Sequence, residues 1–237
     1  MTLSISFSGG SWLGMCYYLG CMSYIINHMS CENIITLGAS AGSWAAFGIQ
    51  LKEYMDMNKI KTEVYNLFDN VGKFPFNCES IINDFFDHTF QELDDILISK
   101  VCKNLYISTT YIEITNLIFK NNIINKIETK EMLKKSLLRS SRVPGMIGFS
   151  KHNLDGSFSN NQPIYDENTI KINCLTGLFG ADIYPSEFIN PIYLYTPPNI
   201  EKREIIFLMG FNDTKKYFEK LNLNNDNIID IDRIIVI

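Results

Sequence analysis

Ser40 lies at the centre of Gly38-Ala39-Ser40-Ala41-Gly42, between an apolar run ending at Leu37 and a run rich in Ala, Trp and Phe. A serine between two such runs reads as the apex of a strand, tight turn and helix, the setting in which a hydroxyl becomes a nucleophile. Gly38 and Gly42 fit that turn because larger side chains two positions either side of the apex would collide. The helix that follows aims its free N–H groups at the site. Two further segments supply the remaining parts of acyl transfer. Ser8-Gly9-Gly10-Ser11-Trp12-Leu13-Gly14 follows the alternating run Leu3-Ser4-Ile5-Ser6-Phe7, and its small residues let the N–H groups of Gly9, Gly10 and Ser11 approach a substrate oxyanion. Leu154-Asp155-Gly156-Ser157 presents a carboxylate beside a glycine turn. Each motif alone also has an ordinary reading, a glycine turn packed between strand and helix or a simple D-G turn.

The proton acceptor follows from the histidines. There are three, His28, His88 and His152, and none comes after Asp155 as the triad order of an α/β-hydrolase requires. His152 precedes Asp155 by three residues, so on an extended strand the two would face opposite ways, and it reads as a solvated side chain at a strand end. Asp155 is left as the base. A carboxylate of pKa near ~4 is a poor base for a hydroxyl unless burial raises it. Leu154 and Phe158 are the neighbours expected to keep it dry.

In order and spacing, the glycine turn, serine elbow and D-G element resemble the patatin-like phospholipase family. Its first turn reads D-G-G-G-x-R/K-G, its elbow G-x-S-x-G, and its late element D-G-G or D-G-A. Here Ser8 stands at the leading position, Ser11 at the third glycine, Leu13 at the basic position and Ser157 at the last position of the late element. Animal members of the family also lack the acidic and basic residues of the first turn. Asn104 to Thr110 is similar to the family's internal strand, and Leu138 to Gly145 to its A-S-x-x-x-P stretch. The resemblance covers most of residues 1–163. It implies a three-layer α/β fold with a central, mostly parallel sheet covered by helices on both faces. It further implies a lipid acyl hydrolase of phospholipase A, lysophospholipase or acylglycerol lipase type, working through a Ser40–Asp155 dyad and an acyl-enzyme. Neither metal nor cofactor is needed. The substrate would be a lipid at a membrane or micelle surface, and some members of the family require a protein activator. The competing expectation is an inactive member of the same fold, retained for lipid binding or interaction, towards which Ser11 and Ser157 point.

The elements that must position these residues alternate. Strands are expected at Leu3 to Phe7, Asn33 to Leu37, Leu105 to Thr109, Ile112 to Leu117, Lys171 to Thr176 and Glu204 to Met209. Helices are expected from Trp12, Ser40, Ser80 and Gln91, from Thr129 to Arg139, and from Asn212 to Leu221 with Asn212 and Asp213 as caps. Pro197-Pro198 marks a surface turn before the last strand, and Ile228 to Ile237 suggests an edge strand. Phe74, Phe76, Phe85, Phe86 and Phe90 sit in a segment able to line an apolar trough, although helix faces packed into the core explain them more simply. Arg139, Arg142 and Lys151 could rim the site, the alternative being solvated surface charge.

At 237 residues and 46% hydrophobic composition the chain has enough apolar material for one α/β domain spanning 1–237. Its net charge of -5 provides no basic face for nucleic acid. The six cysteines show no C-x-x-C pair and no histidine at ligand spacing, so they read as buried thiols of a reducing compartment. The first charged residue is Glu32, but glycines, serines and strand alternation interrupt the stretch before it, and no basic region precedes it. A signal peptide or membrane span is therefore not expected. The expected location is cytoplasmic, with peripheral membrane contact.

Overall fold

The alternating run at the amino-terminal end forms an interior strand of a six-stranded sheet, paired on both sides. The structure is a computed structural model describing residues 3–29, 34–72, 76, 78–113, 118–148, 150–175 and 180–224. Its strands are β1 (Leu3–Phe7), β2 (Ile34–Ala39), β3 (Leu105–Glu113), β4 (Ile118–Ile124), β5 (Asn153–Leu154) and β6 (Ile170–Ile172). Its helices are α1 (Ser11–His28), α2 (Ala41–Gln50), α3 (Met57–Val71), α4 (Glu79–Thr89), α5 (Asp95–Val101), α6 (Lys130–Ser140), α7 (Ser157–Asn160) and α8 (Ile200–Asn224). β1 pairs in parallel with β2 and β6, and β2 pairs in parallel with β3. β4 and β5 both join β3 antiparallel. This is a mixed α/β fold with a mostly parallel central sheet flanked by helices.

The alternation in β1 separates two environments. Ile5 and Phe7 enter the apolar core built with α1 and α2. Ser4 and Ser6 face a polar covering segment: Ser4 Oγ donates to Thr169 Oγ1 at 3.0 Å, and Gln162 Nε2 donates to Ser6 Oγ at 3.0 Å. The carboxyl ends of β1 and β2 carry the glycine turn and the serine elbow. Neighbouring parallel strands thus deliver both motifs to one rim of the sheet, with Phe7 opposite Gly38 in register.

α1 is buried on nearly every side, which explains the uncharged amino-terminal stretch without a membrane. α8 covers it so closely that the backbones touch. A Cβ on Gly20 would strike the Phe207 carbonyl, and one on Gly210 would strike that of Tyr17. No helix among the described residues is long and apolar enough to cross a membrane.

Several elements differ from the sequence expectations. Glu204 to Met209 is the interior of α8, and Pro197-Pro198 precedes that helix instead of a strand. The inward stripe of α8 contains Arg203, Gly210, Asp213 and Thr214, so its 3.6-residue period is carried by polar and small residues and escapes a hydrophobic count. Asp213 caps nothing. It is buried and accepts from the Tyr17 hydroxyl at 3.1 Å and the Ser186 N–H at 3.0 Å. Ile112 and Glu113 continue β3, while the rest of that expected strand, 114–117, lies outside the described residues. β4 was not expected, because Asn121 and Asn122 are poor strand formers. α3 was also missed, although Ile60, Val64, Leu67, Phe68 and Val71 are buried at helical spacing and the Asp56 side chain caps the Asn58 N–H at 2.9 Å. α5 starts at Asp95, capped by Asp94, not at Gln91. The edge strand expected at Ile228 to Ile237 and the aromatic Phe74 lie outside the described residues. Cys16, Cys21, Cys78, Cys102 and Cys174 are free and buried, and burial pushes the thiols of Cys102 and Cys174 up to about 12.

Candidate active site

Ser40 sits between β2 and α2 at φ 54°, ψ −128°, a conformation ordinarily left to glycine. The turn closes so tightly that a Cβ on Gly38 would run into the Gly42 carbonyl, and one on Gly42 into the carbonyls of Phe7 and Ser8. This is the physical reason for small residues two positions either side of the serine. Ser43 Oγ donates to the Ser40 carbonyl at 2.7 Å, and the Ser40 N–H donates to Ser140 Oγ at 2.9 Å. Ser140 Oγ in turn donates to the Ser108 carbonyl at 2.7 Å, linking the elbow to β3 through the last residue of α6.

The same serine reaches the D-G turn. Gly156 donates its N–H to the Ser140 carbonyl at 2.8 Å, the Asp155 N–H donates to the Arg142 carbonyl at 2.9 Å, and Thr110 Oγ1 donates to the Asp155 carbonyl at 2.7 Å. Asp155 is thereby held at the rim of β3, 2% exposed, beside Ser40 at 5% exposed. Burial pushes the Asp155 carboxyl up to about 6, a rise partly offset by the Ser40 hydroxyl and by the Ser157 N–H, which donates to Oδ1 at 2.8 Å. Oδ2 has no hydrogen bond of regular geometry among the described residues. The Ser40 hydroxyl is therefore near enough to stabilise the carboxylate without yet being aligned on it, a looseness common in sites without substrate.

The dryness of Asp155 has a different source from the one expected. Phe158 is 52% exposed and packs towards Phe119, and Leu154 is only partly buried. Thr110, Ser140 and Arg142 instead hold the turn in place through its backbone, with the carboxyl itself buried. His152 is exposed, with its ring parallel to Tyr111 at 6.1 Å between centroids.

The glycine turn lies against this pair. Its three expected donors are not equivalent. The Gly9 N–H is taken by Asn161, donating to Oδ1 at 3.0 Å and to the carbonyl at 3.3 Å. The N–H groups of Gly10 and Ser11 have no partner among the described residues, nor does that of Ala41 at the start of α2. Ser11 and Ala41 both border an apolar cavity that opens at Ser40 and is walled by Trp12, Met15, Trp44 and Phe85. Trp44 is fixed by donating Nε1–H to Ser141 Oγ at 2.9 Å. The turn itself is braced from behind by Tyr18, whose hydroxyl meets Ser8 Oγ at 2.7 Å.

Of the remaining sequence candidates, Gly156 is packed on the Ser108 carbonyl and Ser157 Oγ stands where a Cβ on Gly9 would be. Phe85 and Phe90 border apolar cavities, while Phe86 is fully buried in the core. Arg142 is paired with Glu79 at 2.6 Å, and Arg139 faces a separate polar groove. Sequence reasoning missed Ser140, Ala41 and Trp44. Ser140 lies in the Leu138 to Gly145 stretch singled out above, but nothing local shows that it bridges two distant turns. Ala41 could have been found, because the residue after an elbow nucleophile is placed to donate its N–H. Among the described residues no group of three or more His, Cys, Asp or Glu side chains converges to hold a metal.

No family model matches the chain, and no curated protein matches it. Among solved structures, VipD from Legionella pneumophila aligns with 92% of this chain and 67% of that chain, at 12% identity and a TM-score of 0.48.

Proposed function

We propose that the protein is a serine lipid acyl hydrolase of patatin-like type. The observation that carries this reading is a buried carboxyl with a raised pKa beside a serine in strained elbow geometry, the serine opening on an apolar cavity. Ser40 attacks an ester carbonyl while Asp155 accepts the hydroxyl proton, and the alcohol leaves with a proton returned from Asp155. Water then attacks the acyl-enzyme with the same carboxylate as base, releasing a fatty acid and restoring Ser40. The N–H groups of Gly10, Ser11 and Ala41 receive the oxyanion, each such donor being worth roughly 3 kcal/mol. Gly9 supports the turn through Asn161 and is not one of the donors. An apolar cavity with a single polar mouth suits an acyl ester better than a polar substrate, and the natural substrate would be drawn from a membrane or micelle.

A second reading, an inactive lipid-binding member of the same fold, draws on the loss of the Gly9 donor to Asn161 and on serines at positions 11 and 157. A fluorophosphonate probe separates the two. The hydrolase reading expects labelling of the wild type that disappears in Ser40→Ala, and absence of labelling in the folded wild type favours the binding module. A triad hydrolase would instead lose turnover in His152→Ala, whereas the dyad loses it in Asp155→Asn.

A further inference from the structure

The cavity at Ser40 shares a wall with another. Met15, Ala41, Trp44 and Phe85 border it, and all four also border a second apolar cavity. The second chamber lies among the helices, between Met22 of α1, Ala45 and Gly48 of α2, Ile60 and Val64 of α3, and Phe90 of α4. Its floor is α2 itself. Ala41, Ala45 and Gly48 follow one face of that helix away from the serine, so the distance from mouth to far end is about 10 Å at about 1.5 Å per residue.

Gly48 marks that far end in a specific way. A Cβ there would meet the tip of Met22, striking Cε and lying 3.4 Å from Sδ. The obstacle is the end of a flexible side chain, so the helix backbone tolerates a larger residue, but the thioether must then move. The space available to a guest in the second chamber is set by what stands at 48 and where Met22 points.

We infer that the second chamber holds the methyl end of a medium-length acyl chain, with Gly48 and Met22 setting the longest chain accepted. This inference rests on the proposed hydrolase reading for the direction of the chain, its carboxyl end at Ser40. A zigzag chain advances about 1.25 Å per carbon for C–C bonds of about 1.5 Å, so roughly eight carbons span the distance to Gly48 and Met22 and a longer chain meets that end. Each methylene brought into such a chamber is worth about a fourfold gain in binding.

The test uses displacement of a fluorescent fatty-acid analogue by butanoate and by octanoate, which differ by four methylenes that fall in the second chamber. The folded wild type binds octanoate at least tenfold more tightly than butanoate. Gly48→Val reduces that ratio to about threefold or less, and Met22→Ala in the Gly48→Ala background restores it. Should Gly48→Val not fold, as judged by its melting transition, Gly48→Ala takes its place with a smaller reduction of the same sign. A ratio unchanged in folded variants, or a wild type that does not distinguish the two acids, overturns the inference. Because binding is read without turnover, a protein that shows the expected ratios but no labelling of Ser40 would overturn the hydrolase reading and leave the chamber assignment standing.

Discussion

Ser140 Oγ accepts the N–H of Ser40 at 2.9 Å and donates to the Ser108 carbonyl at 2.7 Å, so one hydroxyl on α6 ties the elbow to β3. The same residue's carbonyl receives the Gly156 N–H at 2.8 Å. The proposed nucleophile and base, far apart along the chain, are thus referenced to a common residue.

Replacing that hydroxyl is expected to uncouple the pair. Ser140→Ala leaves a buried N–H and a buried carbonyl each short of a partner and destabilises the fold by about 2 kcal/mol or more. Steady-state kinetics should show kcat falling tenfold or more with KM little changed, since the apolar cavity does not involve Ser140 Oγ. A variant with wild-type kcat would remove Ser140 from its positioning role.

On the proposed mechanism Asp155 must be ionised to act as base. Its carboxyl sits at about 6, so kcat/KM should rise about tenfold per pH unit below pH 6 and level off above it. A pH–rate profile flat between pH 5 and 8 would contradict this.

The same carboxyl links pH to stability with a definite sign. Its folded pKa is raised above the ordinary value of 3.8, so the folded state holds the proton more tightly than the unfolded state and loses stability as pH rises from about 4 through 6. A shift of about two units corresponds to about 3 kcal/mol. Asp155→Asn remains neutral throughout, so its Tm relative to wild type should climb between pH 4 and 7 while its activity is lost. A difference in Tm independent of pH would refute the assignment.

Backbone strain at the elbow can be measured by two substitutions. Both Ser40→Ala and Ser40→Gly remove the nucleophile, but only glycine is at ease at φ 54°, ψ −128°. Chemical denaturation should find the glycine variant the more stable by about 1 to 3 kcal/mol. Equal stabilities would mean that the turn is not strained.

Ser11 adopts φ 49° at the position where the related pattern has its third glycine. Ser11→Gly should gain up to about 1 kcal/mol and keep its N–H in place for the oxyanion, whereas Ser11→Val should lose more than that. Denaturation midpoints and turnover of the two variants check both halves of this expectation.

The parts of the fold that could be read from the sequence were those in which apolar alternation coincides with burial on one side. β1 and the elbow strand fall close to where Leu3 to Phe7 and Asn33 to Leu37 placed them. The helix expected at Asn212 to Leu221 lies within α8, but the first half of α8 reads as a strand because its buried stripe mixes Ile206 and Phe218 with Arg203, Gly210, Asp213 and Thr214. Arg203 and Asp213 are satisfied by partners that only the folded chain supplies. Arg203, for example, pairs with Asp69 at 2.7 Å and donates Nε–H to the Pro198 carbonyl at 2.8 Å. In the site, Ser40 and Asp155 were legible because their motifs are local. The engagement of Gly9 by Asn161 and the bridging by Ser140 were not, since each depends on a contact spanning a hundred residues or more.

The backbone contact between Gly20 of α1 and Phe207 of α8 has a consequence for biosynthesis. α1 leaves the ribosome early, while its cover is translated roughly 170 residues later, an interval on the order of ten seconds or more at about 5–20 residues per second. Throughout that time a helix without charged side chains is exposed to solvent or to whatever chaperone shields it. The nascent chain, more than the finished protein, is where aggregation threatens.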